Sequence, residues 1–260
     1  MAKACGKSIS SGKISCTSGS SKRRYCLAKP YVQLKTRYTE VPIEFCHWYS
    51  PYGCKYETLE KKTNSDLCKL CKCRQTTNHV LSSCKHSLNT GRYTWRHNCI
   101  IHYIVNSVDP KYTVHTDLPG HTVSGGGSIP PEVCVTSQKP DIVIVDNNNK
   151  TIQLFELTCP SEENIDTRHL EKSNKYHHFS TDITELKCKV HCFEVSTKGF
   201  ISKRNHTTLK ALHSFMRREI KLSTFKSNIL ALSLMASHFL FICGNDPAFT
   251  EPPFLLPLNK

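Results

Sequence analysis

Acidic side chains are scarce in this sequence: 21 Asp and Glu stand against 35 Lys and Arg, a net charge of +14 at pH 7. Such an imbalance disfavours a cationic partner and favours a polyanion, nucleic acid or an anionic membrane face. Long apolar runs are missing too. The most membrane-like stretch, Ile229–Cys243, has 15 residues and is interrupted by Ser233, Ser237 and His238. It falls short of the roughly 20 apolar residues that span hydrocarbon, so it reads as a buried helix and no membrane partner is expected. The first residues, Met-Ala-Lys-Ala-Cys-Gly-Lys-Ser, contain no apolar run, so no secretory signal peptide is expected. Cysteine, at 15 in 260 residues, is below the roughly 8–10% of a disulfide scaffold and odd in number. The expectation is an intracellular, reducing compartment with thiols free to hold metal. Apolar residues make up 38%, which leaves part of the chain outside any core.

What is present is unevenly placed. The charge balance is +8 over residues 1–64, +5 over 65–98, −4 over 99–200 and +5 over 201–260. Carboxylates therefore collect in one stretch of a cationic chain. Basic surface to hold a phosphate backbone and acids to hold a divalent cation are what a metal-dependent enzyme acting on nucleic acid needs. An ordinary acidic surface is the plainer alternative. Residues 1–24 hold seven serines with Lys3, Lys7, Lys13, Lys22, Arg23 and Arg24, the composition of a basic disordered tail. Residues 25–64 mix aromatics such as Tyr25, Tyr31, Trp48 and Tyr52 with Lys29, Lys35 and Arg37, without a clear period. That mixture suits stacking on single-stranded bases and equally a remnant of a larger domain, and it assigns no fold.

Periodicity sharpens from residue 94. Ile100, Ile101, Ile104, Val105 and Val108 mark one apolar helix face, stopped by Asp109-Pro110. A Gly/Pro-rich loop runs from Leu118 through Gly125-Gly126-Gly127 to Pro131, followed by a short strand at Val133–Val135. Asp141–Val145 and Thr151–Leu157 are two β-rich runs around Asp146-Asn147-Asn148-Asn149-Lys150, a hairpin turn. Helix is expected over Asn164–Phe179, strand over Leu186–Val195, and helix over Thr207–Lys221 and Phe225–Ile242. The class is α/β, a mixed sheet flanked by helices.

Two clusters carry chemistry. In the first, Cys68, Cys71, His79 and Cys84 are spaced C-x2-C-x7-H-x4-C. A C-x2-C turn aims two thiolates at one cation and the later His and Cys close a tetrahedron, the pattern of a structural zinc site with no open position. Cys73 is an alternative ligand. In the second, a turn over Asn147–Lys150 pairs Asp146 with Thr151, which brings Asp141 opposite Glu156. Carboxylates that close repel unless a divalent cation sits between them; two exposed acids in a hairpin slipped by one residue is the alternative. Arg168, Lys172, Lys175 and Phe179 then share a helical face, from which a lysine can reach the acids or the scissile phosphate. A solvated basic face is the plain reading of that stripe.

With these residues in place, the segment 68–260 resembles the restriction-like endonuclease region of non-LTR retrotransposons, a branch of the PD-(D/E)xK nuclease superfamily. The resemblance rests on Cys68, Cys71, His79 and Cys84, on the run from Gly91 to Asn98 (Gly-Arg-Tyr-Thr-Trp-Arg-His-Asn), on Lys139-Pro140-Asp141-Ile142, on Phe155-Glu156-Leu157-Thr158-Cys159-Pro160, and on Lys172 with Lys175-Tyr176. It implies Asp141 and Glu156 as ligands of catalytic Mg2+ or Mn2+, Lys172 or Lys175 as the catalytic lysine, structural Zn2+, and nicking of target DNA in the nucleus. DNA and the element's RNA are the implied partners, and the oligomeric state is left open. The sequence departs from the superfamily in carrying Thr158 where a lysine usually stands two residues after the second acid. No Tyr-x-Asp-Asp polymerase signature occurs. The expected organisation is a basic tail (1–24), an unassigned basic and aromatic segment (25–64), a CCHC zinc knuckle (65–92), a nuclease core (93–200) and C-terminal helices packed on it (201–260). The rival expectation is a catalytically decayed, zinc-containing nucleic-acid-binding module derived from a mobile element.

Overall fold

A computed structural model describes residues 66–118, 129, 136, 138–177, 187–243 and 246–255, together with the backbone of four short strands before them. The expected tail over 1–24, the loop through Gly125-Gly126-Gly127, the strand at Val133–Val135 and Phe179 lie outside the described residues. In the segment assigned no fold, β1 (Leu27–Ala28) pairs antiparallel with β4 (His47–Trp48), and β2 (Tyr31–Thr36) with β3 (Thr39–Glu44).

From residue 66 the chain makes a tight loop closed by a bridge between Leu67 and Arg74, one π-helical turn at His79–Ser83, and the short helix α1 (Lys85–Asn89). Gly91, at φ 72°, turns the backbone from α1 into the long helix α2 (Arg92–Ser107). That left-handed conformation is the reason for glycine there. The apolar face read from the sequence is the buried one: Ile100, Ile101, Ile104, Val105 and Val108 are all at most 7% exposed.

Next come β5 (Thr113–Thr116), β6 (Ile142–Asp146), β7 (Thr151–Thr158), α3 (Ile165–Tyr176), β8 (Lys187–Glu194), α4 (Asn205–His213) and α5 (Leu222–Ile242). The strands form one four-stranded mixed sheet in the order β5-β6-β7-β8, antiparallel except for the parallel pair β7 and β8. The α/β class and the flanking helices are as the sequence indicates. The strand β5 is not foreseen. Thr-Val-His-Thr is short with a single apolar residue, Val114, and as an edge strand it has a single neighbour to satisfy.

Period-2 alternation divides the sheet's two faces. Ile142, Ile144, Phe155, Leu157, Phe193 and Val195 join Ile100 and Ile104 of α2, Leu209 and Leu212 of α4, and Phe225, Ile229 and Leu232 of α5 in the main core. The other face, with Val143, Ile152 and Leu154, is covered by α3 through Tyr176. Helix α5 is the one described helix long and apolar enough to cross a membrane, but it packs along α2 and its Phe225, Ile229, Leu232 and Ala236 are wholly buried. The helix expected over Thr207–Lys221 stops at His213. Beyond it the backbone turns to bond the end of α2, Asp109 N–H to the Phe215 carbonyl at 2.9 Å and Arg217 N–H to the Ser107 carbonyl at 3.0 Å. These bonds compete with continued helix and win because they also seat Met216 in the core.

Candidate functional site

The four knuckle residues meet. Cys68 N–H donates to the Cys73 carbonyl at 2.7 Å and Lys72 N–H to the Cys68 carbonyl at 2.8 Å, with Lys72 at φ 63°, which curls the C-x2-C loop so that both sulfurs face inward. The π-helical turn then delivers His79, and Cys84 follows at the start of α1. Sγ of Cys68 is 3.9 Å from that of Cys84, Sγ of Cys84 is 3.7 Å from that of Cys71, and Cys71 Sγ is 3.2 Å from His79 Nε2. A tetrahedral zinc with bonds of about 2.3 Å to sulfur and 2.0 Å to nitrogen separates sulfurs by about 3.8 Å and sulfur from nitrogen by about 3.5 Å. The donor set and its spacing fit that ion, and all four ligand atoms lie within 4.8 Å of one another. Cys73 is exposed and outside the cluster.

The carboxylates meet as well. The hairpin register pairs Ile142 with Phe155 and Asp146 with Thr151, so the next rung outward is Asp141 beside Glu156. Two crossed hydrogen bonds lock that rung. Leu157 N–H donates to Asp141 Oδ2 at 2.7 Å and Asp141 N–H donates to Glu156 Oε2 at 3.2 Å. Glu156 is 2% exposed, and the Lys172 ammonium from α3 forms an ion pair with its Oε1. Lys175 does not reach the acids. Its ammonium lies 2.9 Å from the Tyr176 hydroxyl and 4.5 Å from that ring's centre. The face that α3 turns to the sheet is Ile165, His169, Lys172 and Tyr176, so that of the expected stripe Lys172 faces the sheet while Arg168 and Lys175 do not. Arg168 points to solvent in a pair with Glu171.

A fourth member comes from α2. His97 Nε2 lies 3.1 Å from Asp141 Oδ2, and its Nδ1 lies 3.0 Å from Asn98 Oδ1. With an amide oxygen on one ring nitrogen and a carboxylate on the other, both nitrogens serve as donors and the imidazole is a cation. Burial works against that charge, but Asp141 outweighs it and raises the pKa of His97 to about 9. The two acids split as a close carboxylate pair does. Burial pushes both up. In Asp141 the His97 charge and the Leu157 N–H reverse the effect and hold the pKa below the usual value. In Glu156 burial and the Asp141 charge prevail over Lys172 and hold it above.

Further along the same face, Glu194 at the end of β8 is fully buried, with Oε1 2.8 Å from His169 Nδ1, and it stands on the same rung as Thr158. Among the described residues, Glu194 Oε2 and Thr158 Oγ1 meet no hydrogen-bond partner. Asp146 has a structural place: Oδ1 accepts the N–H groups of Asn148 and Asn149, each at 3.1 Å, and closes the hairpin turn.

His97, His169 and Glu194 are missing from the sequence reading of the site. His97 stands inside the quoted run, where a signal was available. Arg92 and Arg96, both at most 2% exposed, sit on the apolar stripe that continues through Cys99 and Ile100. Charged side chains at core positions of a helix announce buried partners. For Glu194 no local signal exists, because its partner is 25 residues away on another element. The chain matches no protein-family model, and no curated protein matches it.

Proposed function

We propose that the chain is a divalent-cation-dependent DNA endonuclease of the PD-(D/E)xK type, of retrotransposon origin, with structural zinc at Cys68, Cys71, His79 and Cys84. The observation that carries this reading is the locked rung of Asp141 and Glu156 with Lys172 closing on it from α3. The lysine missing at Thr158 is thereby supplied from the helix, at the spot where a phosphate would meet the acids. The Asp141 Oδ1 atom makes no hydrogen bond among the described residues, which leaves it available to a cation. A bound Mg2+ or Mn2+ supplies Lewis acidity and a water of lowered pKa. The chain's own groups do the rest: the crossed backbone bonds fix the two carboxylates, Lys172 neutralises charge on the scissile phosphate, and the excess of basic side chains holds the polyanion.

A second reading, a binding module without catalysis, draws on one specific observation. Both carboxylates are already matched by cations of the protein, Asp141 by His97 and Glu156 by Lys172.

Nicking of supercoiled plasmid in Mg2+ or Mn2+, at graded salt, separates the two. The nuclease reading expects cleavage that Asp141→Ala and Glu156→Ala abolish while DNA affinity stays near that of the unchanged chain. Lys172→Ala is expected to lose roughly 10²-fold or more in rate. A chain that binds DNA and cuts in no divalent cation is the binding module.

A further inference from the structure

The knuckle and the carboxylate pair lie at opposite ends of a short series of contacts that begins in the first two turns of α2. The Tyr93 hydroxyl accepts from Cys84 N–H at 3.0 Å and lies 2.9 Å from the Val80 carbonyl, inside the knuckle. One turn on, the Arg96 guanidinium donates through one nitrogen to the Leu81 carbonyl at 2.8 Å and through the other to the Cys159 carbonyl at 3.2 Å. Leu81 lies between the zinc ligands His79 and Cys84. Cys159 follows Thr158 at the end of β7, three residues past Glu156. The next residue of the helix, His97, contacts Asp141 at 3.1 Å.

Arg96 is 2% exposed and has no carboxylate partner among the described residues, an expensive place for a charge that two backbone carbonyls, the Ser237 hydroxyl at 3.5 Å and the Tyr93 ring repay. A guanidinium can hold two carbonyls at fixed spacing and an ammonium cannot. We infer that Arg96 is a positioning residue that transmits the order of the zinc-loaded knuckle to the Asp141/Glu156 rung, so that the acids are held in place only when the knuckle is closed. The inference rests on the reading of those two acids as the reactive pair.

Two amides report the rung directly. Leu157 N–H donates to the Asp141 carboxylate and Asp141 N–H donates to Glu156. Hydrogen exchange at these amides, read on the full chain with zinc bound and with zinc removed, tests the link. Zinc removal is expected to speed exchange at both by about tenfold or more, with the mid-hairpin amides of Val143 and Ile152 unchanged. Zinc-loaded Arg96→Lys, and Arg96→Met where it folds, should show the same local loss while retaining one zinc per chain. Unchanged exchange at Leu157 and Asp141 on zinc removal, or an Arg96→Lys chain that exchanges like the parent, overturns the role. So does acceleration spread evenly over the sheet, which would make Arg96 a general support of the fold. A chain that cuts no DNA yet shows the local loss keeps Arg96 in its role and sinks the nuclease reading. Cleavage with unchanged exchange does the reverse.

Discussion

The knuckle and the carboxylate site are both clusters of four polar side chains, and they are built in opposite ways. The knuckle takes all its members from one segment, Cys68 to Cys84, in which Val80 and Leu81 are the main apolar residues buried besides the cysteines. The carboxylate site draws His97 from α2, Asp141 from the start of β6, Glu156 from β7 and Lys172 from α3, and stands on a core that exists without it. A site that supplies the order of its own segment fails as a unit. A site resting on a preformed sheet fails one contact at a time.

The largest effect should therefore fall on the knuckle. Structural zinc contributes roughly 10–16 kcal/mol in isolated finger peptides, which no single contact at the carboxylates approaches. Cys68→Ser and His79→Ala are each expected to take zinc from one per chain to none and to unlock the amides of 68–84, by metal analysis and hydrogen exchange. Cys73→Ser, at an exposed position outside the cluster, should leave zinc content unchanged. Zinc retained in both ligand variants would mean that other side chains hold it.

The next effect belongs to His97 and depends on pH. An imidazole whose pKa rises from 6.5 to about 9 on folding holds its proton more tightly in the folded chain. Its contribution is complete below pH 6.5 and is lost as pH climbs through 9. A shift of that size corresponds to about 3 kcal/mol. Urea denaturation at pH 6 and pH 9.5 without added divalent cation should show that loss in the parent, and His97→Gln should flatten it. Equal pH dependence in the two proteins would place the imidazole's proton elsewhere.

What could be read in advance follows the same division. The knuckle ligands are a spacing, and spacing is written in the sequence. The Asp141/Glu156 rung is also local, since a hairpin turn fixes register by counting. The apolar stripe of α2 is local by the same reasoning. The cations that meet the acids are not. Which residues of α3 face the sheet depends on how the helix docks, and the docked face lies three residues back from the basic stripe and shares Lys172 with it. That displacement puts Lys172 on Glu156 and turns Lys175 away. His97 reaches Asp141 across 44 residues, and Glu194 meets His169 only because β8 lies parallel to β7. The strand β5 escapes for a different reason: an edge strand needs few apolar residues, so it leaves little pattern.

Glu194 offers a smaller test of the division. Its carboxylate ties α3 to β8 through His169, away from the core proper. Glu194→Gln keeps the shape and removes the charge, and a hydrogen bond weakened in a buried place costs about 1–2 kcal/mol. A matching fall in urea stability, with the zinc content unaltered, is the expected outcome. A loss near that of the His97 variant would show that Glu194 supports more of the sheet than one helix.

The smallest effect is expected at Lys175. In sequence it is the second candidate for the catalytic lysine, in the same basic stripe as Lys172, which the sequence favours as one helical turn nearer the acid-bearing strand. In the fold its ammonium lies on the Tyr176 hydroxyl and ring, and that hydroxyl is 3.2 Å from the Lys139 carbonyl, so the group braces the approach to Pro140 and Asp141 from outside. An exposed cation over an aromatic ring contributes about 0.5–1 kcal/mol. Lys175→Ala should cost no more than that in stability and, on the nuclease reading, leave cleavage within about fivefold of the parent, since less than 1 kcal/mol of any distortion can be passed to the barrier. Lys172→Ala, measured beside it on the same plasmid, should be the inactive one of the pair. If the order is reversed, α3 docks against DNA-bound acids with the other face, and the contact between Lys172 and Glu156 belongs to the resting protein alone.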